Sequence, residues 1–175
     1  MPVVVGRSAG LSDTGRKRRQ NEDAYVCEPP LFAIADGMGG AQAGEVASGL
    51  AAAAFEEGAA AIHGEDGVAT LVRAANARIF ERAVHDPTVA GMGTTATVAV
   101  VDESAGTVTL AHVGDSRAYR YRRGALEQLT TDHSLVGELV RSGRLTEDEA
   151  AVHPHRSVIT RALGTDADVE VDTLT

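Results

Sequence analysis

The sequence predicts an α+β fold, in which helices pack on antiparallel β-sheets. Helical patterns occupy one continuous part of the chain, residues 44–86, and short β-rich segments occupy another, residues 94–130. Successive strands joined by tight turns pair in an antiparallel manner, whereas parallel strands need long crossover connections. With 175 residues, of which 43% are hydrophobic, the chain has room for one domain with a sizeable core.

The N-terminal half is predicted to contain three strands and two helices. Residues 2–10 (PVVVGRSAG) and 24–36 (AYVCEPPLFAIAD) are strand-like, and a turn at Pro29-Pro30 divides the second segment into two strands. An alanine-rich helix is predicted from Gly44 to about Gly64, with Val46, Leu50, Ala54 and Phe55 near helical spacing. A second helix, ended by Pro87, carries an apolar stripe formed by Val68, Leu71, Val72, Ala75, Ile79 and Ala83.

The C-terminal half is predicted to contain strands first and helices afterwards. Residues 94–102, 106–114, 117–124 and 125–130 are β-rich and separated by turn signals, which predicts an antiparallel meander. The segment SLVGELVRSGRLTEDEAAVHP, which starts at Ser134, is typical of two short helices, and Thr146 with Glu149 forms a capping box for the second. The final segment, VEVDTLT, alternates like a strand.

Composition and charge exclude several classes of protein. The net charge of −9 argues against a nucleic-acid-binding protein. No apolar run approaches the length of a membrane span, and the first residues lack the pattern of a signal peptide. Cys27 is the single cysteine, which excludes an internal disulfide and a cysteine-based zinc site. We therefore expect a cytoplasmic protein, or the cytoplasmic part of one.

Residues 33–44 (AIADGMGGAQAG) place a glycine-rich loop between a strand and a helix, as in phosphate-binding loops. The dinucleotide-binding pattern fails, because Gln42 stands where its third glycine is required, and the Gly-Lys-Ser/Thr ending of a P-loop is lacking. Asp36 would also repel a phosphate by roughly 4 kcal/mol at an effective dielectric constant of about 20. A divalent cation between the two negative charges makes their electrostatic interaction energy favourable. The loop therefore predicts that Asp36 is a metal ligand, with neighbouring glycines that let backbone carbonyl groups approach the ion.

Further carboxylates support a metal site, although an isolated Asp-Gly pair is usually only a turn. Antiparallel pairing across the Pro-Pro turn would bring Glu22 and Asp23 near Asp36. Asp115 lies at a sharp break between two predicted strands, and Asp132 follows the predicted meander. Carboxylate oxygens suit Mg²⁺ or Mn²⁺, and two such ions that share a carboxylate favour phosphoryl chemistry.

An arginine completes the chemistry that these residues predict. Arg18 precedes Glu22 by four residues and would present a planar guanidinium to phosphate oxygens. The interpretation of the basic run at residues 16–19 that requires no function is a solvated loop. Beside a carboxylate-rich metal site, however, the arginine favours a phosphate-ester hydrolase.

Five segments of the chain resemble the metal-dependent serine/threonine protein phosphatases, also called the protein phosphatase 2C family, and in particular its bacterial branch. They occur in the family's order and at compatible spacing, so that together they are far more specific than any one alone. The segments are SDTGRKRRQNEDAY, ADGMGGAQAGEVAS, GMGTTATVAVV, AHVGDSRAYRYRRGALEQLTTDHS and HPHRSVITRALG. The resemblance implies a single domain over residues 1–175 with an α-β-β-α four-layer sandwich, incomplete at its C-terminal end.

The resemblance also implies a centre of two Mn²⁺ or Mg²⁺ ions, with a third, weaker ion. By position in the motifs, Asp36 would bridge two ions, the carbonyl group of Gly37 would bind one of them, and Asp115 would bind the third. Residues 134–155 correspond to a mobile flap beside the active site.

The implied reaction is hydrolysis of phosphoserine or phosphothreonine in proteins by a metal-activated water. Arg18 would hold the substrate phosphate, and Glu22 and Asp23 would hold metal-bound waters or orient the centre. No phosphoenzyme is required. Phosphorylated proteins, including serine/threonine kinases and their substrates, are the implied partners.

Two departures from the family pattern keep a second hypothesis open. Met38 stands where some members have a histidine that is a candidate proton donor, which leaves water or His153 for that role. The family also continues beyond the equivalent of Thr175 with further strands, a helix and two metal-binding aspartates. The alternative hypothesis is therefore a catalytically impaired regulatory module that binds a phosphoprotein or another partner without turnover.

Overall fold

The computed structural model describes residues 3–16, 18–39, 43–59 and 62–175. Residues 40–42 of the glycine-rich loop and Lys17 of the basic run lie outside the described residues. The strands are β1 (Asp23–Glu28), β2 (Leu31–Met38), β3 (Gly93–Thr94), β4 (Ala96–Asp102), β5 (Thr107–Val113), β6 (Tyr119–Arg122), β7 (Ala125–Gln128) and β8 (Asp172–Leu174). The helices are α1 (Ala43–Gly58), α2 (Gly64–His85), α3 (Leu135–Arg141) and α4 (Glu147–Val152), and a 3₁₀ turn spans Pro87–Val89.

A six-stranded antiparallel sheet organises the domain. Its strand order is β1-β2-β4-β5-β8, and the short β3 pairs with the end of β2. Along β2 the side chains alternate, as expected for a strand with two different faces. Leu31, Ala33 and Ala35 are buried towards the helices, whereas Ile34 and Asp36 are exposed on the opposite face. We call this opposite surface the open face of the sheet.

Helices α1 and α2 cover the other face of the sheet and form the core with it. In α1 the buried residues Ala43, Ala47, Ala51 and Phe55 recur every four residues, so they lie on one side of the helix. Small alanine side chains let α1 approach the sheet closely, and the fully buried Phe55 fills the space near its C-terminal end. The buried side of α2 comprises Val68, Ala69, Leu71, Val72, Ala75, Asn76 and Ile79.

Strands β6 and β7 form a separate two-stranded hairpin. Arg123 and Gly124 connect them, and both have positive φ angles, 53° and 84°. Two residues with positive φ are the requirement of a type I′ turn, whose twist matches that of the paired strands. Ala118, just before β6, lines a cavity of about 330 Å³ with residues of the open face, including Phe32 and Thr97. The hairpin therefore leaves the sheet on its open side.

One predicted strand and the predicted strand pairing require correction. Residues 3–10 form no regular structure, and residue 2 lies outside the described residues. The N–H of Val5 donates to the Glu103 carboxylate at 2.7 Å, so a side chain supplies the partner that a neighbouring strand would provide. The continuous meander is also wrong, because β5 pairs with β8 rather than with β6. Gly114, with a φ of 109°, turns the chain out of the sheet.

The other predicted elements are confirmed, with shifted ends. The turn between β1 and β2 contains Pro29 and Pro30, and α2 ends at His85, just before Pro87. Thr146 and Glu149 form the predicted capping box at the start of α4. Helix α1 ends at Gly58, about six residues earlier than predicted, and the last strand is shortened to β8. Within the described residues, no helix combines the length and the apolar character that crossing a bilayer requires.

Candidate functional site

Asp23 and Asp36 form a pair of carboxylates at the end of the β1–β2 hairpin. They are direct partners in the antiparallel register, so both side chains point to the open face. Both line a cavity of about 240 Å³ together with Ser12 and Ser116. The two paired carboxylates in this cavity make it the candidate site.

The pKa of Asp36 is raised from 3.8 to about 6. Burial of its carboxylate by the surrounding protein contributes most, followed by the negative charge of Asp23 and a hydrogen bond with Asp23. The two carboxylates therefore oppose ionisation of Asp36. The Asp36 side chain still reaches solvent at the mouth of the cavity. A divalent cation in the cavity would allow both groups to ionise by offsetting their repulsion.

Gly37 holds the Asp36 turn against the first residues of α1. A Cβ atom on Gly37 would overlap the Gly44 carbonyl oxygen and would lie 2.6 Å from the Glu22 carbonyl oxygen. The N–H of Gly37 donates to that Glu22 oxygen at 3.0 Å. Strand and helix therefore meet backbone to backbone at this point, which only glycine permits.

Arg18 is the cationic group beside the carboxylate pair. Its Nη1 lies 3.5 Å from Oε2 of Glu22, and its positive charge acts to lower the pKa of Asp36, opposing the effect of Asp23. The Arg18 side chain is 61% exposed, so its guanidinium is accessible to an anion from solvent. The structure thus brings together Arg18, Glu22, Asp23 and Asp36, as the sequence predicts.

Asp115 lies on the adjacent turn that follows β5. Its negative charge is the smallest of the effects that raise the pKa of Asp36. Burial, and then the charge of Asp132, raise the pKa of Asp115 itself. Asp115 lines a second and larger cavity, of about 640 Å³, which extends between the start of the β6–β7 hairpin and helices α3 and α4. Asp115 and Ser116 therefore separate two neighbouring cavities.

Asp132 is engaged in an ion pair. Nε of Arg117 donates to its two carboxylate oxygens at 2.9 Å and 3.1 Å, and Nη2 of the same arginine adds a third hydrogen bond. This carboxylate is therefore already neutralised by a fixed guanidinium. It is a less suitable metal ligand than Asp23 or Asp36.

His112 and His153 lie in different surroundings. His112 is 3% exposed, with Nδ1 lying 2.9 Å from the Thr97 hydroxyl and Nε2 lying 3.1 Å from the Thr131 carbonyl oxygen, so it is a satisfied core histidine, as predicted. His153 ends α4 and lines neither the 240 Å³ nor the 640 Å³ cavity. The structure does not bring His153 to the carboxylate pair.

Sequence reasoning overlooked the buried polar residues that support the two acidic turns. The His133 ring accepts a hydrogen bond from the Gly114 N–H on Nδ1 at 3.0 Å, and the backbone N–H of His133 donates to the Gly114 carbonyl oxygen at 2.8 Å. Thr94 and Thr95 contact the backbone of Asp36. Their only signal in the sequence was the pair of hydroxyl residues in GMGTTATV, a pattern that is equally typical of an ordinary strand.

The donor set fits a hard divalent cation that keeps some of its water ligands. Within residues 3–16, 18–39, 43–59 and 62–175, no group of three or more His, Cys, Asp or Glu side chains is arranged to enclose a metal ion. The adjacent Asp23 and Asp36 nevertheless supply carboxylate oxygens whose mutual repulsion a cation would relieve. Mg²⁺ in particular is commonly bound through one or two carboxylates and several waters.

Known proteins share both the sequence and the fold. The family model described as Protein phosphatase 2C matches residues 10–164. The serine/threonine protein phosphatase PstP of Mycobacterium tuberculosis is 45% identical over 164 residues, covering 92% of this chain and 32% of PstP. The chain therefore spans about a third of the length of that relative.

Two crystal structures share the fold over nearly the whole chain. The PPM Ser-Thr phosphatase MsPP from Mycobacterium smegmatis, in complex with cacodylate, gives a TM-score of 0.88 at 40% identity, covering 98% of this chain and 73% of MsPP. The catalytic domain of PstP in complex with two manganese ions gives a TM-score of 0.82 at 38% identity, covering 96% of this chain and 71% of that structure.

The structural agreement confirms the predicted fold class. Of its layers, the described residues form the helical pair α1–α2, the six-stranded sheet and the β6–β7 hairpin. The sequence match extends through all the motifs that carry the acidic turns. Because the family model covers 155 of the 175 residues and the fold agrees over nearly the full length, the chain belongs to the protein phosphatase 2C family.

Proposed function

We propose that this protein hydrolyses phosphoserine and phosphothreonine in other proteins. The observation that carries the proposal is the Asp23–Asp36 pair, with its raised pKa at Asp36, beside the exposed guanidinium of Arg18. A site with adjacent carboxylates and an exposed arginine suits a cation and a phosphate together. The names of PstP and MsPP, both serine/threonine phosphatases, support the same substrate class.

The cofactors in this proposal are two Mn²⁺ or Mg²⁺ ions, with a third ion at Asp115. The two manganese ions of the PstP catalytic domain support this number. When bound, such ions lower the pKa of a water molecule and offset negative charge on the phosphoryl oxygens. Asp36 and the carbonyl group of Gly37 would hold the principal ions, and Asp115 would hold the additional one.

The remaining site residues bind and orient in this proposal. Arg18 would donate hydrogen bonds to the phosphoryl oxygens, because its side chain is exposed and its charge acts on Asp36. Asp23 would accept hydrogen bonds from water in the 240 Å³ cavity that it lines. Glu22, whose side chain is only 19% exposed, would keep the Arg18 guanidinium oriented through their 3.5 Å ion pair.

The segment 134–155 would be the flap that contacts the protein part of the substrate. Its two short helices, α3 and α4, border the 640 Å³ cavity, which begins at Asp115. Peptide residues next to the phosphorylated side chain could occupy this cavity while the phosphate lies near Arg18. Residues 1–175 would act as one domain in the cytoplasm, with phosphorylated proteins, including serine/threonine kinases and their substrates, as partners.

The proposal is tested by phosphate release from a phosphothreonine peptide with and without Mn²⁺, using the 175-residue chain. Arg18→Ala should raise KM for the peptide at least tenfold while Mn²⁺ affinity stays nearly unchanged. Arg18→Lys should restore part of the loss, because the charge remains but the planar donor is lost. Arg19→Ala, at the exposed neighbouring residue, is the matched control and should have little effect.

The alternative, a module that binds phosphoprotein without turnover, predicts a different result. The wild-type chain would then bind the phosphopeptide in an Arg18-dependent manner but would release no phosphate at any Mn²⁺ concentration. Such an outcome would refute the proposed hydrolysis for this chain.

A further inference from the structure

The hydrogen-bond ladder of the sheet is altered at Asp36. In a regular antiparallel pair, two opposite residues exchange both N–H to C=O hydrogen bonds. Here the N–H of Thr95 donates to the Asp36 carbonyl oxygen at 3.0 Å, but the N–H of Asp36 donates to the Thr95 hydroxyl at 2.9 Å. A side chain has therefore replaced a backbone acceptor at the residue that bears the central carboxylate.

Thr94 contacts the Thr95 carbonyl group, to which the Asp36 N–H would donate in a regular pair. Its hydroxyl lies 3.0 Å from the Asp36 carbonyl oxygen and 3.1 Å from the Thr95 carbonyl oxygen. Thr94 and Thr95 are both fully buried. Because a buried polar group without a partner is costly, each hydroxyl here is part of a fixed set of contacts.

Thr95 also contacts the second acidic turn. Its hydroxyl oxygen lies 2.7 Å from the Ser116 hydroxyl oxygen, directly after Asp115 in the chain. A Cβ atom on Gly114 would lie 2.6 Å from Cγ2 of Thr95, so the turn rests on the threonine side chain. A single residue thus touches the backbone of Asp36 on one side and both neighbours of Asp115 on the other.

The hydrogen-bond capacity of one hydroxyl is sufficient for both contacts. The Thr95 oxygen accepts from the Asp36 N–H, and its own proton remains for the Ser116 oxygen. If the Ser116 hydroxyl donates instead, the Thr95 oxygen accepts twice, which its two lone pairs allow. A valine has the same shape as threonine but would make neither hydrogen bond.

We infer that Thr95 is a positioning residue that fixes the Asp36 and Asp115 turns relative to each other, so that metal binding at one turn depends on the other. The inference rests on the proposed function, because it concerns the same metal-binding residues. Outer hydrogen-bond partners of metal ligands typically change metal affinity by about tenfold to a hundredfold. Thr95 differs from such partners in that it serves two ligand turns at once.

Three variants separate this role from simple support of the fold. Thr95→Val removes the hydroxyl, and Thr95→Ser keeps it. Thr109→Val is the matched control, because Thr109 is also buried in the sheet but its hydroxyl lies 3.1 Å from that of Thr175, away from both turns. Manganese affinity, measured by calorimetry, should fall at least tenfold in Thr95→Val, remain close to wild type in Thr95→Ser, and be unchanged in Thr109→Val.

A measurement on the metal-free protein tests the same inference independently of catalysis. In amide NMR spectra, Asp115→Asn should shift the Asp36 resonance in the wild-type background, and Thr95→Val should reduce that shift to the part that the charge of Asp115 exerts directly on Asp36. The inference is overturned if Asp115→Asn affects Asp36 equally in both backgrounds, or if Thr95→Val binds manganese as wild type does. If the wild-type chain binds no manganese, the proposed function fails, and the NMR comparison alone decides the role of Thr95.

Discussion

Asp36→Asn should stabilise the metal-free protein while removing its response to metal. The pKa of Asp36 is raised from 3.8 to about 6, mainly by burial and then by Asp23. The folded state therefore binds the Asp36 proton more tightly than the unfolded state. Stability from this group is fully present below pH 3.8 and is lost as the pH rises through about 6. At pH 7.5 the ionised carboxylate destabilises the folded protein.

The size of the effect follows from the pKa shift and the exposure of the side chain. A shift of one unit corresponds to about 1.4 kcal/mol, so the full shift gives an upper limit of about 3 kcal/mol. Asp36 reaches solvent, which screens its charge, and we therefore expect about 1 kcal/mol. For a domain of this size, that corresponds to an increase of about 2–4 °C in Tm. Asparagine has the same shape as aspartate and can donate a hydrogen bond to Asp23.

Urea unfolding in the presence of EDTA measures this difference directly. At pH 7.5 the variant should be more stable than wild type, and the two should converge near pH 4, where Asp36 is protonated. Addition of Mn²⁺ at a hundredfold excess over its Kd should stabilise wild type by about 2.7 kcal/mol and the variant much less. Asp168→Asn, at an exposed residue outside the site, is the control. A metal-free variant that is less stable than wild type at pH 7.5 would refute the reasoning.

Three further predictions concern the scaffold around the site. Gly37→Ala should lower the free energy of unfolding by at least about 2 kcal/mol in urea titrations, because its Cβ would overlap the Gly44 backbone. Gly49→Ala, in open space on α1, should raise the free energy of unfolding by about 0.5–1 kcal/mol. Equal effects of the two substitutions would contradict the packing described. Thr146→Ala should destabilise α4 by about 1 kcal/mol, because it removes the capping box. The measurement is amide hydrogen exchange, which should become faster in that helix only. Unchanged exchange would show that the capping box contributes nothing to stability. Burial, followed by the charge of His133, lowers the pKa of His112, so the stability that His112 contributes should be fully present above about pH 6.5 and should be lost as the pH falls. The slope should be up to about 1.4 kcal/mol per pH unit, and His112→Gln should remove it. An identical slope in the variant would assign the effect to another group.

The sequence predicted those features that depend on local patterns. The near-helical spacing of Val46, Leu50, Ala54 and Phe55 predicted α1, although Val46, Leu50 and Ala54 are only partly buried. The turn at Pro29-Pro30 predicted the hairpin that sets Asp23 opposite Asp36. The acidic residues of the site were found for the same reason, because each lies beside a recognisable turn. Periodicity and turn chemistry are properties of neighbouring residues, and a single sequence contains them.

Features that depend on distant contacts were not predicted. The exchange of strand partners at β5 depends on β8, which is about sixty residues further along the chain than the end of that strand. The role of Thr95 depends on hydrogen bonds to residues 59 positions before it and 21 positions after it. Nothing local distinguishes a threonine that makes such contacts from one that only favours a strand.

The contact between Gly37 and Gly44 couples the orientation of α1 to the position of the Asp36 turn. Phe55 is eleven residues from Gly44, which is about 16 Å along a helix. A core substitution that tilts α1 at Phe55 would move its other end, and that end touches the Asp36 turn without any flexible side chain between them. Weakened metal affinity in a variant of this protein is therefore compatible with damage far from any ligand, and helix orientation has to be measured before a lost ligand is inferred.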